Sequence, residues 1–146
     1  MSEPRLRAYF ACVGNSGRSQ MAEAFCRELG GEAVACSSGG TEPHGEVLAT
    51  VEAAMAEVGI DLDGHASTAI DPDAVREADV VVTMGCGAQA CPAFHGVEVR
   101  DWLLEDPKDA DPATVRAIRD DVEQRVRDLL AEHGVEPIGD LAGPEA

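Results

Sequence analysis

Cys12 and Arg18 stand at the two ends of a short loop, Cys12-Val-Gly-Asn-Ser-Gly-Arg18, followed by Ser19. Gly14 and Gly17 loosen its backbone, and Ser16 and Ser19 add hydroxyls. Backbone N–H groups of such a loop, turned inward at the start of a helix, bind tetrahedral oxyanions. A guanidinium adds a bidentate pair to two of the oxygens. The same positive surroundings favour the thiolate, the nucleophilic form of cysteine. Val13, Gly14, Asn15, Ser16, Gly17, Arg18 and Ser19 are therefore the candidate oxyanion-binding set, with Cys12 as a nucleophile in its floor. Asn15 is expected to fix the loop's shape through side-chain hydrogen bonds rather than to react. A cysteine six positions before an arginine recurs readily by chance, so the loop's weight comes from its setting between a strand and a helix.

That setting follows from the flanking patterns. Arg5 to Ala11 is an apolar run ended by a glycine-containing loop, which reads as a buried strand. Met21, Ala22, Phe25, Cys26 and Leu29 fall at helical spacing, with Gly30-Gly31 as the stop. Ala33 to Cys36 reads as a second strand, and Val47, Leu48, Val51, Ala54, Met55 and Val58 mark a second helix closed at Gly59. Asp71-Pro72 caps a short helix toward Glu77. Asp79 to Met84, with Val80-Val81-Val82, has the character of a central strand buried on both faces. Val97 to Val99 can form a fourth strand. Asp111-Pro112 caps a long final helix, Val115 to Leu130, ending near Gly134. The pattern predicts an α/β fold: one three-layer domain over residues 1–134, a four-stranded parallel sheet flanked by helices, and a loosely held tail at 135–146. Ligands of such sheets sit beyond the carboxyl ends of the strands, where Cys12, Cys86 and the segment after Arg100 would meet.

Composition narrows the partners. The 146 residues carry 28 acidic side chains against ten arginines and one lysine, Lys108, for a net charge of −17. Such a surface repels nucleic acid and anionic membranes, which sets both aside. The near absence of lysine resembles proteins of salt-loving organisms. The start, Met-Ser-Glu-Pro-Arg, lacks a signal-like apolar stretch, and no segment approaches a membrane span, so a cytoplasmic protein is expected. Five cysteines without an export signal argue against a secreted disulfide framework. Cys26, on the apolar face of the first helix, and Cys36, at a strand end, are expected to be buried packing residues. His44, His65, His95 and His133 have neither triad nor metal-ligand spacing, and no metal or cofactor is expected.

Taken together, Cys12-Val-Gly-Asn-Ser-Gly-Arg-Ser-Gln-Met-Ala-Glu23 resembles the signature loop of the low-molecular-weight protein tyrosine phosphatase superfamily. Asn15-Ser16 and Ser19 to Glu23 are similar to its arsenate reductase branch, the type coupled to thioredoxin. The similarity continues through Ser37-Ser38-Gly39, Val81 to Cys86, and Trp102-Leu-Leu-Glu-Asp-Pro107. The resemblance implies that Cys12 is the nucleophile, that Arg18 and the loop amides bind the oxyanion, that Ser19 stabilises the thiolate, and that Asp106 is the general acid. Asp106-Pro107 fits that role on its own terms: Asp71-Pro72 and Asp111-Pro112 open helical patterns, whereas Asp106-Pro107 starts none. A carboxyl group there can protonate a departing oxygen.

Cys86 and Cys91 separate two reactions. A phosphatase needs one cysteine and a water; a reductase must deliver two electrons, which a run of thiols does by successive exchange. The leading expectation is arsenate reduction through a Cys12 thiol-arsenate adduct, attack by Cys86 on Cys12, and attack by Cys91 on Cys86, with thioredoxin reducing the final disulfide. Gly85, Gly87 and Ala88 suit a segment that must move between thiol and disulfide forms. The alternatives are an aryl phosphate phosphatase with a Cys12 phospho-intermediate, and a non-catalytic redox sensor or oxyanion-binding module. For the pair itself, a zinc half-site with His95 and two incidental thiols stay open. A monomer is expected.

Overall fold

The computed structural model describes residues 4–43, 45–62, 65–84 and 98–137. Cys86, Cys91, His44, His95 and residues 138–146 of the expected tail lie outside the described residues. Strand β1 is Leu6–Cys12, helix α1 is Arg18–Gly30, and β2 is Val34–Gly40, entered through a 3-10 turn at Gly31–Ala33. Helices α2 (Ala49–Ala56) and α3 (Pro72–Glu77) follow, then β3 (Val80–Met84), β4 (Glu98–Asp101) and the long helix α4 (Pro112–Glu132). The four strands form one parallel sheet, as the sequence pattern predicts, and their order is β2-β1-β3-β4.

The sheet is covered on both faces because β1 and β3 are apolar on both. Leu6, Ala8, Phe10 and Cys12 of β1 and Val80, Val82 and Met84 of β3 join the larger core with residues of α1, α2 and α4. Tyr9, Ala11 and Val81 point the other way and pack with Val75 of α3. Every residue of β3 is buried, which is why its valine run could not alternate with polar residues. Both Asp-Pro caps form as read. Asp71 accepts from the Asp73 N–H and Asp111 from the Thr114 N–H, each with proline opening the helix. The packed chain continues past α4 to Val135, which is buried and donates its N–H to the Leu130 carbonyl.

Three local readings change. Strand β2 runs on through Ser37, Ser38 and Gly39 to Gly40, because β1 beside it extends to Cys12 and the two ladders keep register to Cys12–Gly40. Polar and glycine residues read as a loop are thus held as strand by their partner. Helix α2 starts after Leu48, whose N–H is drawn off to the Ser16 carbonyl at 2.9 Å. Cys26 and Cys36 are buried as expected, but they are more than packing residues: they are joined as a disulfide between α1 and β2. Their Cα atoms lie 6.2 Å apart, within bridging range, a proximity that exists only once the helix is folded back onto the strand.

Helices α2 and α4 are clamped by charge. The Arg119 guanidinium, largely buried, donates to the Ala54 carbonyl at 2.8 Å and to Glu57 at 2.9 Å, while Arg116 approaches Glu57 through two nitrogens. Hydrogen bonds from Arg116 and then Arg119 hold the Glu57 carboxyl down to about 2 from 4.5. A carboxyl lowered in the folded state stabilises it fully above its ordinary value and loses that contribution as pH falls toward the folded value. Between pH 4.5 and 2 the urea midpoint of a Glu57→Gln variant is therefore expected to decline less steeply than that of the parent, from a lower neutral-pH start. Parallel profiles would show that the clamp carries no linked stability.

Candidate active site

The carboxyl edge of the sheet assembles the site. Cys12 ends β1 and lies in register with Gly40 of β2 and Met84 of β3, and Thr83 of β3 pairs with Asp101 of β4. The chain then turns from Cys12 into α1, whose N-terminus has Gly17 at its cap, no side-chain capping bond and no acidic residue in the first turn. The first-turn N–H groups of a helix have no carbonyl partners within it, and the helix field there is positive. An end of this kind can accept an anion.

Cys12 is 2% exposed, and it is the free cysteine among the described residues. The Asn15 N–H donates to its sulfur at 3.2 Å, and the Ser19 hydroxyl lies 2.8 Å from it. Ser19 in turn accepts from Asn15 Nδ2 at 2.7 Å, which frees its hydroxyl hydrogen to point at sulfur. Asn15 adopts φ 50°, a left-handed conformation that asparagine tolerates better than most residues. Its side chain is fully engaged. Nδ2 also donates to Ser38, while Oδ1 accepts from the Thr68 N–H at 2.8 Å and from Gln20. Gln20 further donates to the Asn15 and Ala66 carbonyls. The loop is thereby tied to β2, to the segment at Ala66–Thr68 and to α1, so the amide beside the sulfur is fixed before any ligand arrives. The expectation that Asn15 shapes the loop agrees with this geometry.

The network reaches further than the sequence indicated. The Ser38 hydroxyl donates to Glu23 at 2.5 Å, Glu23 pairs with Arg27 at 2.6 Å, and Arg27 donates to the Cys36 carbonyl at 2.9 Å. Ser38, Thr68 and Gln20 had no role assigned from spacing. Their bonds reach across the fold; Gln20 and Ser38 stand in the stretches that carry the family resemblance, whereas Thr68 had no advance signal.

The opposite wall comes from the segment after β4. Trp102 is buried against Phe10, with ring centroids 6.0 Å apart, and its backbone N–H donates to the Thr83 carbonyl. This anchor sends Leu103 to Asp106 across the mouth of the loop. Arg18, 7% exposed as a residue, donates from its guanidinium to the Leu104 carbonyl at 3.4 Å and lies 3.6 Å from the Asp106 carboxylate, which is mostly exposed. A cavity of about 200 Å³ results, lined by Cys12, Val13, Gly14, Ser16, Gly17, Arg18, Asp106 and Lys108. It brings together the predicted nucleophile, the loop, the guanidinium and the candidate acid. Cys86 and Cys91 fall outside the described residues. No cluster of three or more metal-ligating side chains occurs among the described residues. No helix in them is long and apolar enough to cross a membrane.

The family model for low molecular weight phosphotyrosine protein phosphatase matches residues 7–136. A Halobacterium salinarum relative that carries a provisional arsenate reductase name is 42% identical over 129 residues, covering 84% of this chain and 89% of its own. The glutaredoxin arsenate reductase of Synechocystis is 39% identical, covering 86% of this chain and 97% of its own. Among solved structures, the Corynebacterium glutamicum thioredoxin-dependent arsenate reductase superposes with a TM-score of 0.78 at 30% identity. That match covers 92% of this chain and 64% of that one. An arsenate reductase in the phosphate binding state also gives 0.78, at 37% identity, covering 87% of this chain and 98% of that one.

Proposed function

The chain belongs to the low molecular weight phosphotyrosine protein phosphatase family, and within it we propose that the protein reduces arsenate to arsenite, starting at Cys12 and drawing electrons from a thioredoxin-type donor. One observation carries the reading: the Cys12 sulfur, held by the Asn15 amide and the Ser19 hydroxyl, opens into a small cavity walled by Arg18 and Asp106. The identity of 38–42% to arsenate reductases favours reduction over phosphate ester hydrolysis.

The chemistry balances with the residues of this chain. The Cys12 thiolate attacks arsenic, and one oxygen departs as water with a proton from Asp106, leaving a sulfur–arsenic(V) bond. Arg18 and the loop amides hold the remaining oxygens and the charge that develops on them. The Cys86 thiolate then attacks the Cys12 sulfur. The sulfur–arsenic bond breaks with its electron pair passing to arsenic, which leaves as arsenite, and a Cys12–Cys86 disulfide remains. Cys91 attacks Cys86, returns Cys12 as thiolate and leaves a Cys86–Cys91 disulfide, which a donor dithiol reduces. The sequence places Cys86 two residues beyond Met84, the β3 residue in register with Cys12, which supports the first exchange.

The second reading, hydrolysis of aryl phosphates, draws on the same cavity and on the family's name. Purified protein given arsenate, thioredoxin, its reductase and NADPH is expected to oxidise NADPH in proportion to arsenate, with glutaredoxin and glutathione as the comparison donor. Cys86→Ser and Cys91→Ser are each expected to lower multiple turnover at least about a hundredfold and to spare any slow aryl phosphate hydrolysis. Robust hydrolysis with no arsenate-dependent NADPH loss from either donor would replace this reading with the phosphatase. Equal loss of both activities in the two variants would make those thiols structural.

A further inference from the structure

The chain contains one lysine, and that lysine lines the oxyanion cavity. We propose that Lys108 is a substrate-binding residue that captures the oxyanion at the cavity mouth; this rests on the cavity being the oxyanion site, as proposed above.

The backbone fixes where Lys108 stands. Its N–H donates to the Asp106 carboxylate at 3.0 Å, and the Pro107 carbonyl accepts from the Ala110 N–H at 3.0 Å, closing a turn around it. Asp109 takes φ 63°, the left-handed conformation that completes the turn. Pro107 is buried against Gly17, so closely that a Cβ on Gly17 would lie 2.6 Å from the proline ring. The turn is thus pressed onto the loop that binds the anion, with Lys108 projecting from its tip.

Charge gives that position its use. The chain carries −17 overall, and the turn itself is flanked by Glu105, Asp106 and Asp109. An incoming anion with about one to two negative charges meets a repulsive field. Arg18 already faces Asp106 at 3.6 Å, so this pair offers the mouth little net positive charge. Among the described residues no carboxylate lies within salt-bridge distance of the Lys108 ammonium, although acidic side chains surround it in sequence. An ammonium on a flexible stem can follow the anion from the rim to the loop, whereas Arg18 is held by the Leu104 carbonyl. The role is in binding, since Asp106 already offers a proton donor and Cys12 the nucleophile.

Lys108→Met keeps an unbranched side chain one atom shorter and removes its charge. The KM for arsenate and the inhibition constant for phosphate are both expected to rise about fivefold to tenfold, with kcat within twofold. The difference should shrink in high salt, and Lys108→Arg should restore most of it. Phosphate protection of Cys12 against iodoacetamide, read by mass spectrometry on the Cys12 peptide, gives the same comparison without turnover. Its half-protection concentration should rise by the same factor. Unchanged phosphate protection in Lys108→Met would overturn the inference, as would a fall in kcat with KM unaltered. A parent protein that binds phosphate but turns over no arsenate would overturn the proposed function and leave the Lys108 comparison standing.

Discussion

A Cys12→Ser variant is expected to lose arsenate turnover by at least about ten-thousandfold while still binding phosphate in its cavity. The neighbours of Cys12 explain why serine cannot substitute. Its sulfur meets the Asn15 N–H at 3.2 Å and the Ser19 hydroxyl at 2.8 Å. The described lining of the cavity includes no histidine that could take a proton from a serine hydroxyl. A hydroxyl there remains neutral and a poor nucleophile, and oxygen cannot enter thiol–disulfide exchange, so no electrons reach arsenic even if an ester forms. The loop, Arg18 and the Asn15 network remain, so phosphate binding measured by calorimetry should stay within a few-fold of the parent. Arsenate-dependent NADPH oxidation above 1 in 100 of the parent rate, from protein free of reverted cysteine, would move the starting point of the chemistry away from residue 12.

Gly40→Ala should cost about a hundredfold without touching a reactive atom. A Cβ on Gly40 would lie 2.5 Å from the Val13 carbonyl oxygen and 3.0 Å from both Cβ and N of Asn15. Val13 O and Asn15 N are backbone atoms of the loop after Cys12 and the Asn15 Cβ is fixed by that backbone, so no side-chain rotation relieves the overlap. Gly40 cannot retreat either, because its N–H is bonded to the Thr68 carbonyl at 2.9 Å and its carbonyl accepts from Ile70. The loop must move instead, and the Asn15 amide moves with it, away from the Cys12 sulfur. A misplacement near 1 Å costs about a hundredfold in rate, and overpacking of this kind destabilises by about 1–3 kcal/mol. The expected result is a fall of about a hundredfold in kcat/KM with a lowered urea midpoint. Parent-like kcat/KM would show that the loop's position tolerates displacement.

These variants also separate what could be read in advance from what could not. The Cys12 to Ser19 loop, the parallel sheet, the two Asp-Pro caps and the isolated status of Asp106-Pro107 were legible because each depends on residues close in sequence. Capping, glycine stops and apolar periodicity act within a turn or two of the chain. The extension of β2 to Gly40 was not legible: Ser-Ser-Gly-Gly has weak strand character, and the β1 ladder imposes it. The Cys26–Cys36 bridge was hidden for a related reason, since helical and strand periodicity place each residue on a buried face without saying which faces meet.

By itself the sequence determined the chemistry on offer: a thiol in an amide-rich loop, a guanidinium six residues on, a carboxyl beside a proline, and two further thiols after the central strand. Tertiary structure decided which of these groups can act together. It brought Arg18 to within 3.6 Å of Asp106, 88 positions away, set Asn15 between Ser38 and Thr68, and put the chain's single lysine at the cavity rim. Residue type fixes what a group can donate or accept. Its partner is fixed by sheet register and helix packing, which depend on the burial of side chains throughout the core, so the site exists only in the folded chain.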